Sequence, residues 1–443
     1  MSHGDGVSRP LPEAARERWL DALARAGWAP RPDAGCPGGA AGRGHGGERV
    51  PVGEALGRVT AAPVAARWPS PRTDCAAMDG IAVRLADLAT APGADTTGAG
   101  GGAVRLRPGL FEWIDTGDPM PPARDAVVVR ERLLPQADGS VIVTAAAAAR
   151  AGHAASQRNV RTAGEDFAAG EVLVPAARRL RPADLAAAAA GGHVALAVAP
   201  RPVVAIIPTG DEIRPVGSTL RYGDIADTNS LMLAGRCRQL GAVPAVSAVV
   251  PDDPDALAAE LRRAAAAADL VLVIAGSSRG RGDHAGAVIA QVGGLAVAGV
   301  AVRPGHPALL GHAKRPGTGR GQPAGPAAGI VPVIGLPGYP VATAVIFELF
   351  AAPLLAGLQG QHPAGGTVPA RLDRDWASPA DVEDWVLVTL APDPAGGIAV
   401  ATPSRRGAGS ISLLARADAW WAIPAGQGTY PAGSEIAVRP VPG

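Results

Sequence analysis

The sequence has almost no lysine: of its 41 basic residues only Lys314 is lysine, and the rest are arginine. With 59 glycines and 43 prolines, that skew reads as GC-rich coding rather than a functional device. Aromatic residues are also few, at 3% of 443, so any core is built from Ala, Val and Leu. Neither sign of charge is in excess, since 41 basic against 40 acidic residues leaves +1. This excludes a general nucleic-acid or anionic-membrane binder, which needs a basic surplus. Cysteine is confined to Cys36, Cys75 and Cys237. An odd, scattered set without a Cys-x-x-Cys pair is neither a disulfide framework nor a structural zinc site, and it points to a reducing, cytoplasmic compartment. No apolar h-region follows Met1-Ser2-His3-Gly4, so no secretory signal is expected. The longest apolar stretch, residues 341–358, is broken by Glu348 and Pro353 and falls short of the roughly 20 apolar residues that span a bilayer.

Apolar side chains are nevertheless 47% of the chain. At about 150 residues per domain that supports roughly three domains. Residues 1–48 read as a partly disordered extension with one helix at 11–26, where Leu11, Ala14, Trp19, Leu20 and Leu23 have helical spacing. Short apolar runs at 82–83, 104–106, 126–129 and 141–143, separated by Gly, Pro and Asp, predict a small β domain over 74–156, with a flexible loop at 89–102. From 201 to 358 the pattern alternates. Strands are expected at 203–207, 243–250, 270–274 and 331–334, with helices at 230–240, 254–268, 285–292 and 340–358. That alternation predicts a parallel, three-layer α/β domain, with residues 313–329 as a flexible insertion. Residues 359–443 return to short strands and predict a C-terminal β domain.

Ligands of open α/β sheets bind beyond the carboxyl ends of the strands. Three loops are expected there: Thr209-Gly210-Asp211-Glu212, then Gly276 through His284, then Gly335-Leu336-Pro337-Gly338-Tyr339-Pro340. Glycines let backbone approach a phosphate, and helix N-termini favour anions. Asp211, Glu212 and Asp283 could hold a divalent metal or position water. Any one of these loops alone is more often an ordinary βα turn.

Several motifs in one order resemble the molybdopterin molybdenumtransferase family (gephyrin E-domain-like). Cys75-Ala76-Ala77-Met78-Asp79-Gly80-Ile81-Ala82 is similar to its Ser-Ala-Met-Asp-Gly-Tyr-Ala signature. Thr116-Gly117-Asp118-Pro119-Met120-Pro121 with Asp125-Ala126-Val127-Val128, then Asn159-Val160-Arg161 with Ala163-Gly164-Glu165-Asp166, resemble its next blocks. Thr209 to Glu212, Asp227-Thr228-Asn229-Ser230, Asp252-Asp253, residues 335–340 and residues 413–417 continue the match, which covers nearly everything after residue 50. The resemblance implies α/β plus β architecture: an elongated multidomain protomer with a three-layer α/β molybdopterin-binding domain, a small β domain and a C-terminal β domain. It makes residues 49–73 and 157–200 one discontinuous domain. It also implies a homodimer, a cytoplasmic transferase that inserts molybdate into adenylylated molybdopterin with release of AMP, Mg2+ as cofactor, and the molybdopterin adenylyltransferase as a partner. Neither nucleic acid nor membrane is implied.

Carried residue by residue, the resemblance gives Asp79, Glu212 and Asp283 catalytic roles and Asp166, Glu212 and Asp252 to the metal. Thr116, Gly117, Thr209, Gly210, Ser277, Ser278, Arg279, Arg303, His306, Pro337, Gly338 and Pro340 fall to the substrate. Carboxylates and a cation suit cleavage of a phosphoanhydride, and molybdate, a dianion, needs cationic or N–H donors. Each residue has a plainer reading too: Asp79-Gly80 is a hairpin-turn dipeptide, Thr116-Gly117 a turn, and Asp252 a contributor to a helix cap. The chain departs from the family pattern at Arg303-Pro304-Gly305-His306-Pro307 (Lys-Pro-Gly-Lys-Pro), at residues 276–282 (Gly-Gly-Val-Ser-Val-Gly), at His284 (an aromatic) and at Tyr339 (Asn). Those departures keep a second reading open, a paralogue that binds molybdopterin or finished cofactor without inserting metal. A phosphate-ligand enzyme on a similar α/β domain is a weaker third.

Overall fold

The computed structural model describes residues 9–28, 47–90, 103–144, 159–275, 284–315, 329–361, 365–394 and 396–441. The chain divides into two compact units, residues 1–48 with 199–443, and residues 49–198.

The larger unit is built on a six-stranded sheet in the order Val243–Val246, Val203–Pro208, Leu270–Ala275, Ile330–Pro337, Leu309–Lys314, Gly293–Ala298. The first four strands are parallel, and the last two run antiparallel to their neighbours. The sheet is therefore mixed, not parallel. The last two strands escape sequence reading because glycines at 293, 294 and 311 interrupt their pattern, and glycine is a poor strand former. Packing explains the glycines: a Cβ on Gly293 would run into the His312 carbonyl oxygen, and one on Gly311 into that of Gly294. Lys314 pairs with Ile330, and Arg315 N–H donates to the Gly329 carbonyl at 3.0 Å. The expected insertion at 313–329 thus begins and ends inside ordered structure, and its centre, 316–328, lies outside the described residues.

Helices cover both faces of the sheet. Pro254–Ala267 and Ala285–Val292 bury Leu257, Leu261, Val288 and Ile289 on one side. Thr228–Gln239 and the long helix Pro340–Leu358 lie on the other, with Val345, Phe347 and Phe350 inside. That long helix is apolar and long enough to cross a membrane by composition alone, yet here it is core, and its middle turn, Phe347–Ala351, is π-helical just before Pro353. Helix Pro12–Arg25 joins the same core through Ala15, Trp19 and Leu23. Trp19 Nε1 donates to the Gly311 carbonyl at 2.8 Å, and its ring meets Phe350 edge-on with centroids 6.5 Å apart. So the helix expected in an N-terminal extension is a packed part of the α/β domain.

The C-terminal domain is a closed barrel. Glu383–Ala391, Ala399–Pro403, Val368–Leu372, Glu435–Pro440 and Ala419–Ile423 pair in that order and return to the first strand. Period-two alternation sorts their side chains. Val386, Val388 and Trp421 fill the barrel, while Trp385, Leu387 and Trp420 pack outward into the α/β core. Val302–Arg303, a loop segment between the two antiparallel sheet strands, adds to the barrel in parallel register, with Val302 opposite Glu383 and Arg303 opposite Asp384.

The second unit has two parts, each with its own apolar packing. One contains Val50, Val64, Val174, Leu180, Leu196 and Val198 under helix Pro182–Ala190. The other is a β domain of two three-stranded antiparallel sheets, Phe111–Ile114 with Gly80–Val83 and Ala126–Val129, and Val104–Leu106 with Val141–Val143 and Leu133–Pro135. Ala89 and Thr90, expected in a loop, close the short helix Leu85–Thr90, and the rest of that loop through 102 is not described.

Candidate functional site

In the larger unit a cleft of about 1060 Å³ opens between the carboxyl ends of the parallel strands and the barrel. Its floor is where the sheet rule places a ligand. Thr209, Glu212, Arg303, His306, Pro337, Gly338 and Pro340, all expected from sequence, line it. Thr209 anchors its turn, its N–H and hydroxyl both donating to the Ile274 carbonyl at 3.0 and 2.9 Å. Gly210 follows at φ +134°, where a Cβ would stand 2.9 Å from Glu212 Oε2. Only glycine accepts that backbone beside the folded-back carboxylate. Glu212 itself is exposed.

Asp252 meets the same turn. Asp211 N–H donates to its carboxylate at 3.4 Å, and Asp252 N–H returns a bond to Asp211 Oδ1 at 3.2 Å. The helix cap expected there is made by Asp253, which accepts from Ala256 N–H. Among the described residues no three His, Cys, Asp or Glu side chains cluster closely enough to hold a metal ion. Asp166, an exposed residue in a turn, belongs to the other unit, so the three expected metal ligands are not shown together. Asp283, Ser277, Ser278 and Arg279 lie outside the described residues.

The loop after Ile330–Pro337 is a wall more than a cradle. Pro337 and Pro340 carry no N–H, the Gly338 carbonyl accepts from Asn229 Nδ2 at 2.6 Å, and Val341 N–H donates to the Ala408 carbonyl at 3.0 Å. Asn229 is 9% exposed, and its Oδ1 has no partner among the described residues; nor has the buried Nε1 of Trp376. Both residues line the cleft, leaving one acceptor and one donor unsatisfied in its walls.

The sequence reading missed the barrel's share: Trp376, Asp384 and the Ser404–Gly409 loop with Arg405 and Arg406. Arg-Arg between Ser404 and Gly407-Ala408-Gly409 was the available signal, a basic, glycine-rich turn like the loops that were noticed.

In the second unit, Asp79 Oδ1 accepts from both the N–H and the hydroxyl of Thr116, each at 2.7 Å. Those bonds, the hydroxyl's first, hold the Asp79 carboxyl below its ordinary value of 3.8. The donors expected to face a phosphate are thus engaged with Asp79, and Gly117 N–H, at φ +92°, is engaged with the Ala76 carbonyl. Gly80 is no hairpin tip. It opens a central strand, and a Cβ there would run into the Val128 carbonyl oxygen.

A three-layer α/β domain with carboxylate and guanidinium side chains at its ligand edge, closed over by a barrel, fits the class of folds whose clefts suit small anionic ligands. Comparison with known proteins narrows that class. A profile of the MoeA N-terminal region (domains I and II) matches residues 13–192, one of a probable molybdopterin binding domain matches 205–357, and one of the MoeA C-terminal region (domain IV) matches 369–441. Over 324 residues the chain is 32% identical to the molybdopterin molybdenumtransferase of a Nostoc species, covering 71% of this chain and 70% of that one. To molybdopterin molybdenumtransferase 2 of Mycobacterium tuberculosis it is 34% identical over 335 residues, 70% and 75% of the two chains. The crystal structure of the molybdopterin biosynthesis MoeA protein from Pyrococcus horikoshii superposes with TM-score 0.74 at 27% identity, covering 98% of this chain and 99% of that one. The chain belongs to the molybdopterin molybdenumtransferase family, transferases of molybdenum cofactor biosynthesis.

Proposed function

We propose that the protein inserts molybdate into adenylylated molybdopterin, releasing AMP and leaving molybdenum on the pterin. The observation that carries this reading is the cleft, which puts Glu212 at the sheet edge and Arg303 and His306 on a second loop in one volume of about 1060 Å³. That space suits a ligand of nucleotide size, and its cations suit a dianion. Arg303 and His306 bind the oxyanion, while Glu212 orients water or the leaving phosphate. Mg2+ accompanies the substrate's phosphates, and Glu212 and Asp252 are the described carboxylates that would approach it. When bound it neutralises phosphate charge. The described residues do not by themselves complete a ligand set for it.

A homodimer is part of the reading, with Asp79 and Thr116 supplied by a second copy, and so are a cytoplasmic location and receipt of substrate from a molybdopterin adenylyltransferase. The test is reconstitution with adenylylated molybdopterin, molybdate and Mg2+, reading molybdate-dependent AMP release. Glu212→Gln should abolish release while circular dichroism stays unchanged. Unaltered turnover in that variant would remove Glu212 from the site. The non-inserting alternative draws on His306 and on Tyr339, whose ring packs 3.4 Å from where a Gly409 Cβ would stand. Tight pterin binding without AMP release would select it.

A further inference from the structure

Among the described residues three arginines, Arg303, Arg405 and Arg406, line the cleft, and they are not equivalent. Arg406, though itself exposed, is held at three points. Its Nη2 donates to Asp384 Oδ2 at 2.7 Å and to the Ala377 carbonyl at 2.7 Å, and its guanidinium lies 4.8 Å from the Trp376 ring centroid. Asp384 is 2% exposed and takes a further bond from Ser378 Oγ at 3.0 Å. A carboxylate so buried persists only with such partners. Arg405, the next residue, is exposed and has no ion-pair or hydrogen-bond partner among the described residues, and the same holds for the Arg303 side chain.

Asp384 joins these groups. Its backbone stands opposite Arg303 in the parallel ladder, and its side chain grips Arg406. The loop carrying both arginines is pinned at its ends as well, by Ser404 N–H to the Leu387 carbonyl at 2.8 Å and by Val341 N–H to the Ala408 carbonyl at 3.0 Å. An anion site works best when its donors are fixed before the ligand arrives, because ordering a loop on binding reduces affinity.

We propose that Asp384 is a positioning residue: by clamping Arg406 it fixes the Ser404–Gly409 loop so that Arg405 is presented, with Arg303, to a tetrahedral oxyanion in the cleft. This rests on the reading of the cleft as the molybdate site. The role has a sign that simple charge would reverse. Asp384→Asn removes a negative charge from the wall and releases Arg406 from its pair. Coulomb attraction alone would then tighten anion binding, whereas loss of the clamp loosens it.

The experiment measures dissociation constants of molybdate and tungstate by calorimetry on the full chain, at fixed ionic strength, with circular dichroism and thermal melts as controls. Arg405→Gln should weaken binding roughly tenfold or more, as expected for loss of a charge-assisted pair. Asp384→Asn should weaken it comparably, despite the loss of a negative charge from the wall. Combining the two should weaken it little beyond either alone, since coupled residues are not additive. Should Asp384→Asn fail to fold, Arg406→Lys, which keeps the charge but not the planar stack or fork, serves the same test and should also weaken binding. Tighter or unchanged binding in folded Asp384→Asn or Arg406→Lys overturns the proposal. Weakening by Arg303→Gln but not by Arg405→Gln also overturns it while leaving the molybdate reading intact. Binding untouched by Arg303→Gln and Arg405→Gln together removes the molybdate reading itself.

Discussion

Asp79 and Thr116 stand 37 positions apart in the sequence, yet they act as one group through two bonds of 2.7 Å. Both were legible as motif residues. Their mutual engagement was not, because nothing in a one-dimensional pattern says that a hydroxyl faces a carboxylate rather than a ligand. The consequence is measurable. Thr116→Val keeps the shape and the backbone N–H bond but deletes the hydroxyl, the largest cause of the lowered Asp79 value. The Asp79 carboxyl should therefore titrate closer to 3.8 in the variant, by carbon-detected NMR. The sign follows: a depressed carboxyl stabilises the fold at pH above its unfolded value, and that contribution fades as pH falls through the folded one. The variant should thus lose less stability on acidification. An unmoved titration would show that the hydroxyl is not what holds Asp79.

At the scale of elements, the strands and helices with strong apolar periodicity were readable, and those with small residues were not. Residues 203–207 and 270–274 declare themselves as Val/Ile/Leu runs. Gly293–Ala298 and Leu309–Lys314 are strands because their glycines let two backbones approach, which is tertiary information. Helix Pro12–Arg25 was legible as a helix but not as core. Trp19 is its largest buried side chain, and Trp19→Ala should cost about 3–5 kcal/mol in denaturant unfolding, the range for a deleted buried aromatic. A loss under about 1 kcal/mol would mean the helix contributes little to the domain. The hydrogen-bonded ends at Arg315 and Gly329 predict that residues 316–328 can be replaced by a short Asn-Gly turn with little change in melting temperature, since loop entropy varies slowly with length. Extending the deletion into Lys314 and Arg315 should destabilise, because it removes ladder pairing and the Arg315 bond to the Ala268 carbonyl at 2.7 Å. Equal melting of both variants would refute that boundary.

For the whole molecule, the ordered set of motifs made the family and its α/β plus β build legible, as the profile matches and the Pyrococcus horikoshii structure bear out. The barrel's contribution to the cleft stayed hidden. Short strands of a C-terminal domain carry no sign of which face meets another domain, and Arg405 and Arg406 acquire meaning only once Asp384 lies opposite Arg303.

That two-residue graft, Val302–Arg303 on the barrel's edge, has a consequence for how the chain can be cut. Matched profiles end at 357 and resume at 369, as though a module had been appended. By hydrogen bonds the barrel already owns part of its neighbour, and by packing the neighbour owns Trp385, Leu387 and Trp420. The covalent joint between them is then dispensable. A protease site placed at 362–364 should yield two pieces that co-elute in native gel filtration and separate only in denaturant, whereas pieces that drift apart unaided would make the barrel an appendage after all.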